Sequence, residues 1–290
     1  MKKRIEYIPP HGGSVIFGTF TPFRLMETEG FGNTRLSEQV QRSPYQVGES
    51  LLGVRADSRV LTMRVKVIGN NTKELDEWKN ELSRTLAMDP TTALNDVQTG
   101  LLRYYRQNLA TVELPVIPRD SPQYSDETHR ISEADIEFYS PHPYWRETQD
   151  TFIEMMESGG FEFPMNMPLE MSTFNLQQEI ENQGDIPVHP FFRIYGSVTQ
   201  PRLMNLTTDE MIEISGSVAE GEYVEIQTGF GRKRIEIVQN GTRENAMNRL
   251  NINNSTFFQL QRGINTIRFE ADQNTSGRAL VYWRARYGGV

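Results

Sequence analysis

His11, His129, His142 and His189 are the four histidines of the chain, the side chains that would hold a divalent metal or move protons near neutral pH. None stands four residues from another, so no helix face presents two as a ligand pair. The absence of cysteine excludes thiolate nucleophiles, iron–sulfur clusters, disulfides and cysteine-held zinc together. Carboxylates at Asp126-Glu127, and at Glu133, Asp135 and Glu137, would serve glycoside hydrolysis only if two of them faced each other across about 5 to 9.5 Å. In a chain that is 23% charged, neighbours of this kind read as solvated surface. The run Gly229-Phe230-Gly231-Arg232-Lys233-Arg234 has the glycine and charge of a phosphate loop but neither the Gly-Lys-Ser/Thr ending nor a helix after it, so it reads as a hairpin turn. No Gly-x-Ser-x-Gly elbow occurs. The residues therefore lead to an expectation of no catalytic residue, no metal site and no cofactor. What remains is aromatic: Trp145 and Trp283 are the candidates for flat platforms that stack on sugar rings, against the competing reading that both fill a core or seal a domain seam.

The elements that would position such residues are mainly strands. The first 55 residues, rich in Gly, Pro and Thr, carry short apolar pieces such as Ser14-Val15-Ile16-Phe17-Gly18 and read as short strands and turns. From Ser58 to Gly69, Leu61, Met63, Val65 and Val67 alternate with Thr62, Arg64 and Lys66, the period of a strand with one wet face. Asn71 as N-cap and Glu74 three residues on predict a helix from Thr72 to about Leu86, with Leu75, Trp78, Leu82 and Leu86 on one stripe. Leu101–Arg106 and Ala110–Ile117 form an expected hairpin around Gln107-Asn108, and Arg130–Ser140 a third strand. Between them, Arg119–Thr128 with Pro118 and Pro122 is expected as a long loop, the candidate for an arm reaching a neighbouring subunit. The prolines of Pro141-His142-Pro143-Tyr144-Trp145 interrupt the pattern, which places a domain boundary there and gives expected domains 1–142 and 143–290. Beyond it, short strands at Met211–Ser215, Tyr223–Gln227, Arg234–Val238, Asn265–Ala271 and Ala279–Tyr287 follow one another with turns and no helix, the pattern of an antiparallel sandwich.

Length and charge bound the rest. A chain of 290 residues accommodates two domains of about 100 to 200 residues. No stretch approaches 18 consecutive apolar residues, so membrane insertion as a helix is not expected. The start, Met1-Lys2-Lys3-Arg4-Ile5-Glu6-Tyr7-Ile8-Pro9-Pro10, breaks at a proline pair before any apolar core of a secretory signal, which leads to an expectation of cytoplasmic synthesis. The formal charge of −8 argues against wrapping nucleic acid. That charge is uneven: Glu154 to Glu222 holds twelve acids against Arg193 and Arg202, whereas Tyr223 to Val290 holds ten bases against five acids. Two faces of one domain, or two surfaces that meet in an assembly, would both produce this layout.

Four strings stand out: Ile180-Glu181-Asn182-Gln183-Gly184-Asp185-Ile186-Pro187-Val188-His189-Pro190-Phe191-Phe192-Arg193-Ile194-Tyr195-Gly196, continued by Pro201-Arg202-Leu203-Met204-Asn205, then Phe257-Phe258-Gln259-Leu260-Gln261-Arg262-Gly263-Ile264-Asn265-Thr266-Ile267, and the aromatic-basic close from Val281 to Val290. Together they resemble siphophage distal tail proteins, the phage tail family. Pro143-Tyr144-Trp145 stands where that family passes from its first domain to its second. The resemblance implies a mainly β fold: an N-terminal β-rich, ring-forming domain with one helix, then a galectin-like antiparallel β-sandwich. It further implies a homo-hexameric ring at the tip of a long, non-contractile tail, docked on the tail tube protein and carrying the tail-tip hub or tail-associated protein. A receptor-binding protein or a host glycan is the expected outward partner, with the sandwich as carbohydrate-binding module in the alternative reading. DNA would pass through the lumen without specific binding. The expected location is the virion tail tip, after assembly in the bacterial host cytoplasm. The family is structural, so the resemblance supplies no catalytic residue.

Overall fold

The computed structural model describes residues 3–87, 98–125, 128–156, 174–274 and 277–290. Its contacts divide the chain into two units, Met1–Thr148 with Tyr287–Val290, and Gln149–Arg286.

In the first unit, short strands β1 (Arg4–Ile8), β2 (Val15–Phe17) and β3 (Phe23–Glu29) precede a hairpin of β4 (Leu36–Gln41) and β5 (Ser50–Ala56). The ten-residue β6 (Arg59–Ile68) leads into helix α1 (Thr72–Leu86), followed by β7 (Gly100–Tyr105), β8 (Val112–Pro118), β9 (Gln123–Ser125), β10 (Ile131–Ser140) and β11 (Trp145–Glu147). Neighbours run β8-β7-β1-β2-β3-β6-β10, and the end of β8 returns to β10 through Phe138↔Pro118 and Tyr139↔Ile117, which closes seven strands into a barrel. Alternation decides what faces inward: Leu61, Met63, Val65 and Val67 of β6, and Ala134, Ile136 and Phe138 of β10, are buried, as a strand with one solvated face requires. The outward residues of the same pair form ion pairs, Arg64 with Asp135 and Lys66 with Glu133.

Helix α1 begins as its cap residues dictate. The Asn71 carboxamide oxygen accepts from the Glu74 N–H at 3.0 Å, and the Glu74 carboxylate reaches back to the Asn70 N–H at 2.9 Å, satisfying donors that the first turn leaves open. Leu75, Leu82 and Leu86 of its apolar stripe join the barrel's core cluster, and Trp78 packs edge-on against Phe23.

The expected arm from Arg119 to Thr128 is instead held to this unit. β9 pairs with β10, and the Tyr124 hydroxyl donates to the Lys79 carbonyl of α1 at 2.9 Å; Asp126 and Glu127 lie outside the described residues. Pro118 and Pro122 turn the chain, but one aromatic with a surface to pack on makes the segment an edge strand. The division also falls six residues later than the prolines suggest. Arg146 and Glu147 of β11 pair with Glu113 and Val112 of β8, so Pro141 and Pro143 shape a turn within the first unit.

In the second unit the strands are β12 (Thr151–Met155), β13 (Phe174–Asn182), β14 (Phe191–Tyr195), β15 (Val198–Thr199), β16 (Arg202–Asn205), β17 (Glu210–Glu213), β18 (Ser217–Val218) and β19 (Glu222–Gln227). They continue with β20 (Arg234–Gln239), β21 (Thr242–Asn245), β22 (Gly263–Ala271), β23 (Gln273–Asn274) and β24 (Arg278–Trp283); β25 (Arg286–Tyr287) carries the chain back to the first unit. A six-stranded antiparallel sheet, β12-β24-β14-β19-β20-β21, and a four-stranded one, β13-β22-β16-β17, share a core that includes Phe192, Ile194, Val224, Ile226, Ile267 and Phe269, the antiparallel sandwich expected of alternating strands. Acidic and basic stretches of sequence meet inside this unit, where Arg278 bonds Glu154 at 2.9 Å; Arg284 likewise bonds Asp150, just ahead of the acidic stretch, at 2.6 Å.

Candidate functional site

Neither tryptophan proposed for sugar stacking presents a ring to solvent. Trp145 is fully buried in the first unit, 5.6 Å from Phe31 and 6.3 Å from Tyr104 between ring centroids. Trp283 is 6% exposed and belongs to the core cluster of the second. The reason is parity. On β24, Ala279, Val281 and Trp283 alternate toward the core, which sends Arg278, Leu280 and Tyr282 outward.

That same alternation builds an outer face on the six-stranded sheet. The strand registers align three rows across it. One row reads Phe152, Tyr282, Phe191, Gln227, Arg234; the next Glu154, Leu280, Arg193, Glu225, Glu236; the third Arg278, Tyr195, Tyr223, Val238, Arg243. Neighbouring rings touch, Phe152–Tyr282 at 5.6 Å, Phe191–Tyr282 at 5.7 Å and Tyr195–Tyr223 at 5.1 Å. At the centre the Arg193 guanidinium lies 5.4 to 5.7 Å from the centroids of Phe191, Tyr223 and Tyr282. Its Nε donates to Glu225 Oε1 at 2.8 Å, while Arg243 Nη1 donates to Glu225 Oε2 at 2.6 Å and to Glu236 at 2.9 Å. Burial disfavours the Arg193 charge, but attraction and hydrogen bonding to Glu225 outweigh it and hold its pKa above the ordinary value. Glu225 is itself buried, so its carboxylate is fixed by two cations. These rows hold no tryptophan, so the two indoles do not lead to them. The signal was available: Phe191-Phe192-Arg193-Ile194-Tyr195 alternates aromatic-charged residues with core residues.

A second surface lies in the first unit. The β4–β5 hairpin is a two-stranded sheet with no third strand among the described residues. Its register puts Leu36, Val40, Leu51, Val54 and Ala56 on one face together with Glu38, opposite Val54, with Leu52 beside them at a bulge, and Ser37, Gln39, Gln41, Ser50, Gly53 and Arg55 on the other. All the leucines and valines of this hairpin are exposed, and Tyr45 and Val47 at its tip wholly so. Its base is anchored by Arg59, a buried guanidinium that donates to the carbonyls of Gly30 at 3.0 Å, Gly32 at 2.8 Å and Pro143 at 3.1 Å, and also bonds Thr34 and Gly288. Burial lowers its pKa.

The strings that carried the resemblance are turns held by buried amides. Asn182 accepts from the Gly184 N–H at 3.1 Å and donates to the Ile186 carbonyl at 3.1 Å, while the Asp185 N–H donates to the Arg286 carbonyl at 2.8 Å. Asn265, fully buried, accepts from the Gln261 N–H at 2.7 Å and donates to the Gln261 and Gly263 carbonyls.

Residues 183–287 match the family described as siphovirus-type tail component, C-terminal domain. The whole chain superimposes on the crystal structure of the phage SPP1 Dit (gp 19.1) protein, described as a paradigm of the hub adsorption apparatus in phages infecting Gram-positive hosts, with a TM-score of 0.65 at 12% identity over 97% of this chain and 98% of that one. A chain of the phage P2 baseplate in its calcium-activated conformation aligns over 100% of both chains with a TM-score of 0.52 at 10% identity. No curated protein sequence matches. Residues 183–287 thus carry a siphovirus-type tail component domain, and the chain over nearly its whole length has the fold of the SPP1 Dit protein.

Proposed function

We propose that six copies of this chain close into a ring at the distal end of a long, non-contractile tail, joining the tail tube to the tail-tip and host-binding proteins. The observation that carries this reading is the hairpin of β4 and β5, whose leucines and valines stand uncovered on one face. An isolated two-stranded hairpin is marginal in water, and an apolar patch of this kind marks an interaction site. A closed ring needs each subunit to offer two different, complementary surfaces; the hairpin is one, and the neighbouring copy supplies the other. Likeness to the SPP1 protein, a hub of an adsorption apparatus by its description, supports the tail-tip position. The chain's charge of −8 suits a lumen that passes DNA, since an acidic wall repels phosphate. Assembly takes place in the host cytoplasm, and the chain contributes no catalysis.

The test is mass in solution. Six copies of 33.4 kDa give about 200 kDa, read by light scattering on purified protein and by negative-stain images of a ring. A species that stays at the mass of one chain at every concentration, and forms no ring on tail particles, rejects the proposal.

A further inference from the structure

We propose that the cleft at the base of the β4–β5 hairpin is a carboxylate site, filled by acidic side chains of a neighbouring copy. The inference rests on the ring reading and names the chemistry of one of its contacts. The cleft, of about 600 Å³, is lined by three arginines, Arg35, Arg55 and Arg59, against one acid, Asp57. Arg59 is the buried one. Its five N–H groups all go to neutral oxygens, the carbonyls of Gly30, Gly32, Pro143 and Gly288 and the Thr34 hydroxyl. Its charge therefore meets no ion-pair partner among the described residues, and burial lowers its pKa, the state of a buried cation that a nearby anion would stabilise. Arg35 and Arg55 are exposed, and neither guanidinium makes a hydrogen bond among the described residues. Arg55 stands 3.8 Å from Asp57, whose carboxylate is also bonded by the Ser37 hydroxyl. Asn33 and Ser58 add side-chain donors to the same wall. The cleft is thus positive, with donors to spare.

Solvent and charge decide the occupant. A free ion on Arg35 and Arg55 would be screened by water and salt and held weakly. The same charges attract far more strongly once a partner surface covers them and removes that water. The hairpin whose base forms the cleft is the surface that the ring reading covers with a neighbour, so assembly supplies the cover. That neighbour is the same chain, with 38 acids against 30 bases, and it brings carboxylates in excess. Guanidinium forks meet carboxylates through two parallel hydrogen bonds. An apolar segment in this place would instead bury the arginines without counter-charge, which is costly. The volume, room for roughly twenty waters at about 30 Å³ each, suits side chains of a second subunit better than one inorganic ion.

The experiment is zero-length cross-linking of the full-length protein. Arg35→Lys and Arg55→Lys keep the charge and add an amine, which a carbodiimide couples to a touching carboxylate as an amide, the reagent leaving as its urea. Isotope-labelled and unlabelled chains are mixed before treatment, and the linked peptides are read by mass spectrometry. Links from the new amine to an acid of the other copy are expected. In parallel, Arg35→Glu and Arg55→Glu should each raise the concentration at which half the protein is in the ring by about tenfold or more in light scattering. Arg232→Glu, the same charge change at an exposed residue of the second unit, should leave it unaltered. Thermal unfolding of each variant, expected at the wild-type midpoint, separates lost assembly from lost folding. Links confined to one copy, an intact ring without links, or a ring indifferent to both reversals overturns the proposal, as does inorganic phosphate that shields the amines inside an intact ring and so makes the occupant a free ion. A ring that withstands both reversals rejects this site alone, whereas wild-type protein that forms no ring at any concentration rejects the ring reading and the site with it.

Discussion

Single residues here do their work at turns. Gly184 lies so close to the returning chain that a Cβ on it would stand 2.5 Å from the Arg286 carbonyl oxygen and 2.6 Å from its nitrogen. Both obstacles are backbone and cannot rotate away. Gly184→Ala is therefore expected to cost about 1–3 kcal/mol in urea unfolding, while Gly229→Ala, whose Cβ would meet nothing within 4 Å, is expected to change stability by less than about 0.5 kcal/mol. Equal stabilities for the two variants would show that the contact is not restrictive. His189 is a second case. Burial first, then the charges of Arg286 and Lys233, lower its pKa from 6.5. The unfolded chain then binds this proton more readily than the folded one, so the contribution of the neutral ring is complete above about pH 6.5 and is lost as pH falls below it. Stability measured from pH 7.5 to 5 should decline more steeply in the wild type than in His189→Gln; parallel curves would refute the assignment.

At the scale of elements, the β4–β5 hairpin separates folding from assembly. Its leucines and valines are exposed and belong to neither core cluster among the described residues, so Leu51→Ser with Leu52→Ser should leave the unfolding midpoint of the isolated chain within about 2 °C of wild type. In the ring the same side chains would be buried against a neighbour, where each leucine contributes about 1.5–3 kcal/mol, and the double variant should shift the protein from ring to monomer in light scattering. Rings formed undiminished by the double variant would move the subunit contact to another surface and leave the ring itself standing. β9 teaches the complementary lesson. A segment entered through Pro118 and Pro122 resembles a free arm in sequence, yet three ladder residues, Tyr124 among them, dock it on β10, and the Tyr124 hydroxyl ties it to α1.

For the whole molecule, the two crossings of the chain between units matter. The chain leaves the first unit after Thr148 and re-enters it at Tyr287, where the Tyr287 hydroxyl donates to Glu147 at 2.8 Å and Arg106 lies 4.2 Å over its ring. In chain order the second unit is thus an insertion between Thr148 and Tyr287 of the first. Removing only the last four residues, Tyr287–Val290, should therefore destabilise the first unit, from which they are remote in sequence, and lower its unfolding midpoint by several degrees. An unchanged midpoint would show that the return is incidental.

Sequence alone determined the periodic elements. β6, α1 with its Asn71–Glu74 cap, and the alternating strands of the sandwich follow from spacing, because the period of apolar residues and the chemistry of a cap are local. The parity of β24, with Ala279, Val281 and Trp283 on one side, was legible for the same reason. Which side was the core was not, and that choice buried Trp283 and turned Tyr282 outward beside Phe152 and Phe191. Tertiary structure also decided that β8 returns to β10 to close the barrel, that Trp145 belongs to the first unit, and that Arg193, Glu225 and Arg243 from three strands meet. Each of these joins residues distant along the chain. Their partnership depends on register and packing, and neither is written in the spacing of any one segment.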